Sequence, residues 1–118
     1  MSRWYRVFGS LDAVIDLGAE TPFCVQCFSA DEEGIRAELD SWAAFLETCA
    51  GPHAVPLMER VIQTRRLFTF HDPTGELESE GVDLCRLLAG YMAGFYQIDD
   101  LGFFDADGTL LVAEESIS

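Results

Sequence analysis

The sequence predicts an α+β fold, with a mainly antiparallel sheet of about five strands and two principal helices packed on one face. Two helix-like patterns at residues 29–51 and 79–95 support this class, because their apolar residues recur every three or four positions. Short segments rich in aromatic and β-branched residues around them are typical of strands. At 118 residues, the chain has the usual length of one domain, so residues 1–118 are expected to form a single α+β domain.

The N-terminal quarter is expected to supply the first strands. Residues 3–8 are largely aromatic and precede a Gly-Ser pair, which favours a strand, and residues 11–17 are a candidate for a second. In residues 23–28, Phe23, Val25 and Cys27 would share one face of a further strand.

The clearest element is the first helix. Ser29 and Glu32 have the spacing of a capping box, and Gly51-Pro52 provides a stop signal. One apolar stripe runs between these signals, and it consists of Ile35, Leu39, Trp42, Leu46 and Cys49.

The second half of the chain gives weaker signals. Residues 56–63 fit a short helix or a strand, residues 66–71 read as a strand, and residues 72–75 read as a turn. A second helix is expected to start at Ser79 or Glu80, and its Gly90 and Gly94 would let it lie close to a sheet. Its predicted apolar stripe consists of Leu84, Leu88, Tyr91 and Phe95. The order of elements is compatible with a ferredoxin-like arrangement that carries an N-terminal addition.

The acidic charge of the chain is large and uneven. The sequence contains 21 Asp and Glu residues, seven Arg residues and no Lys, and its formal net charge is −14. Residues 72–118 contain 11 acids and one arginine, a net charge of −10, whereas residues 1–71 carry a net charge of −4. Such a field repels nucleic acid and anionic membranes and attracts a basic partner. An arginine-favouring bacterial genome and selection for solubility would also explain this composition.

Residues 105–109, Asp-Ala-Asp-Gly-Thr, follow an apolar segment. This stretch resembles the nucleophile motif of the haloacid dehalogenase superfamily, Asp-x-Asp-Gly-Thr after an apolar strand. The resemblance implies that Asp105 would attack a phosphoryl group, that Asp107 would act as acid and base, and that both would help to hold a magnesium ion.

The context of this motif favours a turn instead. In that family the other strands, a Lys or Arg and a metal-binding acid pair all follow the motif, whereas nine residues follow Thr109 here and the chain has no lysine. In a calcium-binding loop, Phe103 would occupy the first ligand position without a side-chain oxygen. Asp107-Gly108 is a strong hairpin signal, because glycine accepts a positive φ. Residues 97–115 are therefore predicted to form a β-hairpin whose carboxylates face water.

The cysteines invite two functional interpretations. Cys24 and Cys27 have the spacing of a redox pair, and with Cys49 and His53 they have the spacing of a zinc site. On a strand, residues three apart point to opposite faces and lie roughly 10 Å apart, too far for one zinc ion. The sequence therefore predicts ordinary reduced thiols, as in an intracellular protein.

No catalytic residue, metal or cofactor is assigned from the sequence. His71, Asp72 and Cys85 have the residue types of a nucleophilic triad, but sequence spacing does not bring them together. The longest nearly unbroken apolar run, residues 87–96, has ten residues, which is too short to span a bilayer. No signal-peptide pattern follows the first residues, so a cytoplasmic protein is expected.

The sequence favours a small acidic, non-enzymatic protein-binding or regulatory module, similar in size and charge to immunity or inhibitor proteins. It would dock a basic protein and neither nucleic acid nor membrane. The carboxylates expected to bind lie in or beside predicted turns, and they are Glu76, Glu78, Glu80, Asp99, Asp100, Asp105 and Asp107. The alternative is a small enzyme or ligand-binding domain with a pocket lined by Trp42, Tyr91 and Tyr96. Uncovered sheet edges would favour a homodimer.

Overall fold

A computed structural model of the chain describes residues 2–13 and 21–114. The predicted α+β class is confirmed, although the sheet has six strands where about five were predicted, and three helices form where two principal ones were predicted. In chain order the elements are β1 Arg3–Gly9, β2 Gln26–Ser29, α1 Glu33–Glu47, α2 Ala54–Ile62, β3 Arg66–Asp72, α3 Glu78–Tyr91, β4 Phe95–Ile98, β5 Gly102–Asp105 and β6 Leu110–Ala113.

The strands form one sheet in the order β2-β3-β1-β4-β5-β6, and each neighbouring pair is antiparallel. β1 pairs with β3 on one side and with β4 on the other, so the first strand of the chain lies inside the sheet. One split βαβ unit of the ferredoxin-like kind is present, because α3 connects β3 to β4 and β1 lies between these two strands. The fold differs from a ferredoxin-like arrangement because helices pack on both faces of the sheet.

Helices cover both faces of the sheet, so the prediction that they pack on one face is wrong. The central strands carry large apolar residues at consecutive positions, and consecutive residues of a strand point to opposite faces. Each face therefore has apolar surface that must be buried. The face under α3, called the α3 face, buries Tyr5, Val7, Phe68, Phe70, Tyr96 and Ile98. The opposite face, called the α1/α2 face, buries Phe8, Leu67, Phe95 and Phe103.

The predicted signals at the ends of α1 are present but displaced. The backbone N–H of Ser29 donates to Glu32 Oε2 over 2.7 Å, and the N–H of Asp31 donates to Ser29 Oγ over 3.2 Å. The helix itself begins at Glu33 and ends at Glu47, before the Gly-Pro stop. Trp42 then meets Phe103 edge-on, with 5.5 Å between the ring centroids, which attaches α1 to the sheet.

The ambiguous segment at residues 56–63 lies in helix α2. Leu57 and Val61 are buried against the α1/α2 face, whereas Ile62 is half exposed. The burial of these side chains therefore stabilises a helix, despite the β-branched residues in this segment.

The strand predicted at residues 23–28 begins three residues later in the sequence than predicted. β2 begins at Gln26, and Phe23 packs ahead of the strand against the ring of Phe70, with 4.7 Å between the centroids. Residues 11–13 are not in a strand, and the rest of the predicted strand at residues 11–17 lies outside the described residues.

A buried carboxylate organises the start of α3. Asp72 is fully buried, and its side chain accepts hydrogen bonds from the N–H groups of Thr74, Gly75 and Leu77 over 3.2, 3.0 and 3.0 Å. Burial alone would raise the pKa of Asp72, but the hydrogen bonds outweigh it and lower the pKa. The turn thus closes on Asp72, and α3 begins at Glu78, slightly before the predicted Ser79 or Glu80.

α3 approaches the sheet at Gly81, whereas Gly90 and Gly94 were predicted to allow the close approach. A Cβ on Gly81 would lie 2.6 Å from the Tyr5 ring, whereas a Cβ on Gly90 would meet open space. Gly94, which follows the helix, does lie against the backbone of Phe8. Tyr91, predicted to be part of the buried stripe, is 66% exposed.

The predicted hairpin at the end of the chain is confirmed as β5 and β6, and β4 adds a third antiparallel strand. The N–H of Gly108 donates to the carbonyl of Asp105, and the N–H of Asp105 donates to the carbonyl of Thr109. Gly108 has a φ of +93°, which explains why glycine occupies this turn position.

A methyl group added at Gly81 and one added at Gly90 should change the free energy of unfolding in opposite directions. Gly81→Ala should lower the free energy of unfolding by about 1–3 kcal/mol, because the methyl group would overlap the buried Tyr5 ring. Gly90→Ala should raise it by up to about 1 kcal/mol through helix propensity. Urea unfolding of both variants checks this. Destabilisation of similar size in both would contradict the described packing of α3.

Asp72 predicts a pH-dependent contribution to stability. Because its pKa is lower in the folded than in the unfolded chain, its stabilising effect is present above about pH 4 and is lost as the pH falls through the folded pKa. Asp72→Asn should therefore lower the urea midpoint at pH 7, and the gap to wild type should narrow on acidification. Asp83→Asn, on the exposed side of α3, is the control. An equal gap at every pH would refute the role of the charged carboxylate.

Candidate functional site

The α1/α2 face is covered at one end only. α1 and α2 pack over Phe8, Leu67 and Phe95, whereas at the other end β1 presents Trp4 and Arg6 beside a cavity of about 270 Å³. The sheet forms the floor of this cavity and the N-terminal half of α1 forms a wall. The cavity is lined by Trp4, Arg6, Gln26, Phe28, Ile35, Glu38, Leu67 and Thr69.

Arg6 is fixed by a polar network at the edge of the cavity. Its Nη1 donates to Gln97 Oε1 and to Asp99 Oδ1, both over 2.8 Å, and its guanidinium lies 5.2 Å from the centre of the Trp42 ring. Gln97 is fully buried, and its Nε2 donates to Asp99 Oδ1 and to Glu114 Oε1. The positive charge of Arg6 is therefore matched by Asp99, and this part of the site is rigid before anything binds.

Trp4 is a large apolar side chain that stays partly in water. It is 41% exposed, and its ring stacks on that of His71 with 4.5 Å between the centroids. The two residues are opposite each other on β1 and β3, so the backbone pairing holds the stack in place. An exposed indole fixed in this way provides a large contact surface that loses little conformational entropy on binding.

Five of the seven predicted acidic residues lie at the same end of the sheet as Trp4. The N–H of Asp99 donates to the carbonyl of Trp4, which places the turn between β4 and β5 beside the indole. Glu78 pairs with Arg3, the residue before Trp4. The five residues at this end are Glu76, Glu78, Glu80, Asp99 and Asp100.

Asp105 and Asp107 lie at the other end of β5, roughly 10 Å away along the strand. Asp105 pairs with Arg60 over 3.4 Å. Asp107 accepts a hydrogen bond from the N–H of Thr109 over 2.9 Å, and this bond is the main reason why its pKa is lowered. The predicted acids therefore do not form one continuous surface, and these two serve the hairpin turn.

The five acids at the Trp4 end of the sheet differ in whether their charge is already paired with an arginine. Glu78 and Asp99 are paired with arginines. Glu76, Glu80 and Asp100 are exposed, and their carboxylates form no ion pair within residues 2–13 and 21–114. The Trp4 surface consists of Trp4, His71, Glu76, Asp99 and Asp100. Glu78 and Glu80 are not part of it, because they lie on α3, which covers the opposite face of the sheet.

The aromatic pocket considered as an alternative does not form from the expected residues. Trp42 lies on the α1/α2 face, Tyr96 is buried on the α3 face, and Tyr91 points to solvent. The cavity that does form is lined by other residues, and sequence reasoning did not select Trp4, Arg6 or Glu38. One signal in the sequence could have located the cavity. On one face of β1 the residues change from polar Arg6 to apolar Phe8, and this change marks where the helices stop covering the sheet.

The triad considered from the sequence is not assembled. The ring of His71 stacks on Trp4, at the edge of the α1/α2 face, whereas Cys85 is buried on the α3 face, where burial raises the pKa of its thiol well above the usual range. The carboxylate of Asp72 is committed to the turn before α3. These residues therefore do not share a reaction centre.

The described part of the chain contains no group of three or more His, Cys, Asp or Glu side chains that could hold a metal ion. Cys24 precedes β2 and is exposed, as is Cys27 within that strand. None of the described helices is both long and apolar enough to cross a bilayer.

The chain matches no known protein family, no curated protein and no solved structure. A function must therefore be argued from its own residues and their geometry.

Proposed function

We propose that this chain is a small non-enzymatic binding module that docks a basic protein on the Trp4 surface, in the manner of an immunity or inhibitor protein. The observation that carries the proposal is the half-exposed Trp4, fixed on His71 and bordered by carboxylates. Aromatic anchors of this kind supply much of the free energy of binding in protein interfaces, and surrounding charges set the choice of partner.

The distribution of ion pairs supports a basic partner. Each of the seven arginine side chains contacts an oxygen of the chain itself, on Asp12, Ala30, Glu78, Gly94, Gln97, Asp99, Asp105 or Asp107. With 21 acids against seven arginines, the charge that remains available to a partner is negative. Such a surface attracts a basic protein over a distance and accelerates its association.

The carboxylates proposed to steer the partner are the unpaired ones near Trp4. Glu76 and Asp100 are exposed in the turn regions on either side of the sheet end. Paired residues such as Asp99 hold the site in shape, because Asp99 binds Arg6 and Gln97. Asp105 and Asp107 are proposed to add only to the long-range field, since they lie at the opposite end of β5.

A small-ligand site is the second candidate function, and the cavity beside Trp4 is the observation that favours it. Its volume of about 270 Å³ is at the lower limit of ordinary ligand pockets. It would hold a small molecule or one side chain, but not a large cofactor. If substitutions around the cavity do not change the affinity for a basic protein, the cavity is not part of the docking surface. That result would favour a separate small-ligand site in the cavity.

We propose a cytoplasmic location, and the four unpaired cysteines are compatible with a reducing compartment. A homodimer stays a prediction, and light scattering across a range of concentrations would test it.

If Trp4 is the anchor of the interface, removal of its side chain should strongly weaken partner binding. Immobilised wild-type chain at low ionic strength should retain a basic protein from its native cell extract, and Trp4→Ala should weaken that complex by about 30-fold. Tyr91→Ala, which removes an exposed aromatic ring from α3, is the matched control and should bind like wild type. Urea unfolding confirms that each variant is folded. Equal retention by wild type and Trp4→Ala would refute the proposed anchor.

The acids of the Trp4 surface predict an effect on association rate. The double variant Glu76→Gln/Asp100→Asn should slow association with the captured partner by about tenfold at low salt, with little change at high salt, where charges are screened. Asp40→Asn/Glu47→Gln removes the same charge from α1 and should have a smaller effect. Stopped-flow measurements at several salt concentrations check this. Similar slowing by both double variants would show that net charge, and not this surface, steers the partner.

A further inference from the structure

We propose that the cavity beside Trp4 receives the guanidinium group of an arginine side chain from the partner. This inference rests on the proposed function, because it identifies the chemical group that the Trp4 surface recognises. The residues that would contact the guanidinium are Trp4 on β1, Glu38 on α1 and Gln26 on β2, all of which line the cavity.

The charges around the cavity favour a cation. Arg6 is the one basic residue in its lining, and Asp99 matches its charge at 2.8 Å. The carboxylate of Glu38 forms no hydrogen bond or ion pair with any residue in the ranges 2–13 and 21–114. The lining therefore has one carboxylate without a counterion, and a bound cation would supply it.

The polar groups of the cavity are also the right kind for a guanidinium. A guanidinium has only N–H donors, so it needs acceptors. Glu38 offers two carboxylate oxygens, Gln26 offers an amide oxygen, and Thr69 offers a hydroxyl oxygen. The exposed indole of Trp4 adds an aromatic face on which a planar cation can stack.

The chain binds two of its own arginines by the same chemistry. The guanidinium of Arg6 lies 5.2 Å from the Trp42 ring centre and pairs with Asp99. The guanidinium of Arg60 lies 4.9 Å from the Phe95 ring centre and pairs with Asp105. An aromatic ring combined with a carboxylate is thus a stable environment for a guanidinium in this fold. The cavity offers a further such pair, Trp4 and Glu38, and no arginine of the described residues is bound to either.

An arginine fits these residues better than a lysine. A guanidinium is planar, is more weakly hydrated than an ammonium and can donate to a carboxylate through two N–H groups while it stacks on an indole. An ammonium is a compact, strongly hydrated charge that would lose more hydration in a cavity whose lining includes Leu67 and Ile35.

The test uses N-acetyl-arginine amide as probe and N-acetyl-citrulline amide as its uncharged isostere. Titrations are followed by the two indole N–H signals in NMR spectra, with the Trp4 signal assigned from a Trp4→Phe variant. The arginine probe should shift the Trp4 signal saturably and bind about tenfold more tightly than the citrulline probe. Glu38→Gln should remove about tenfold of this affinity, whereas Glu47→Gln, on the same helix but outside the cavity, should not change it.

Several results would overturn the inference. These are equal binding of the two probes, undiminished binding to Glu38→Gln, or preferential binding of an anionic probe such as N-acetylglycine. A captured basic protein whose affinity depends on Trp4 but not on Glu38 would also overturn it, while the proposed function would stand. Saturable binding of the arginine probe without any captured basic protein would support the guanidinium site and refute the proposed protein-docking function.

Discussion

The structure depends on the need to bury both faces of the central strands. Consecutive apolar residues such as Val7 and Phe8 on β1, or Leu67 and Phe68 on β3, point to opposite sides, so a single layer of helices would leave half of them in water. α3 covers one face, and α1 with α2 covers part of the other. The candidate site lies at the end of that second layer, where Trp4 and Arg6 on β1 line a cavity together with Ile35 and Glu38 on α1.

This arrangement joins the fold to the site through β1. β1 is paired with β3 along its whole length and with β4 over Tyr5–Phe8, and it presents Trp4 and Arg6. Gln97 on β4 and Asp99 beyond it fix Arg6, while His71 on β3 supports Trp4. The recognition groups are thus mounted on the rigid centre of the sheet, and little ordering is needed when a partner binds.

The sequence was most informative where a local signal has one physical meaning. The stripe and stop signals of α1, and the Asp107-Gly108 turn, led to correct elements because helix periodicity and positive φ are local properties. The layering was mispredicted, although paired apolar residues in the strands, such as Phe103 and Phe104, carried that signal. The cavity could not be predicted, because it joins Trp4 to Glu38, which are far apart in sequence. Tyr91 was wrongly predicted to be buried, because periodicity alone does not show how wide the buried stripe of α3 is.

The lengths of the outer strands have a consequence for the behaviour of the chain in concentrated solution. Within the described residues the sheet is bounded by β2 and β6, each of only four residues. Short borders offer few free backbone donors and acceptors to another molecule, which limits the growth of intermolecular ribbons. A chain in which 49% of residues are hydrophobic can in this way limit fibril formation, although two of its inner strands, β1 and β3, have seven residues each.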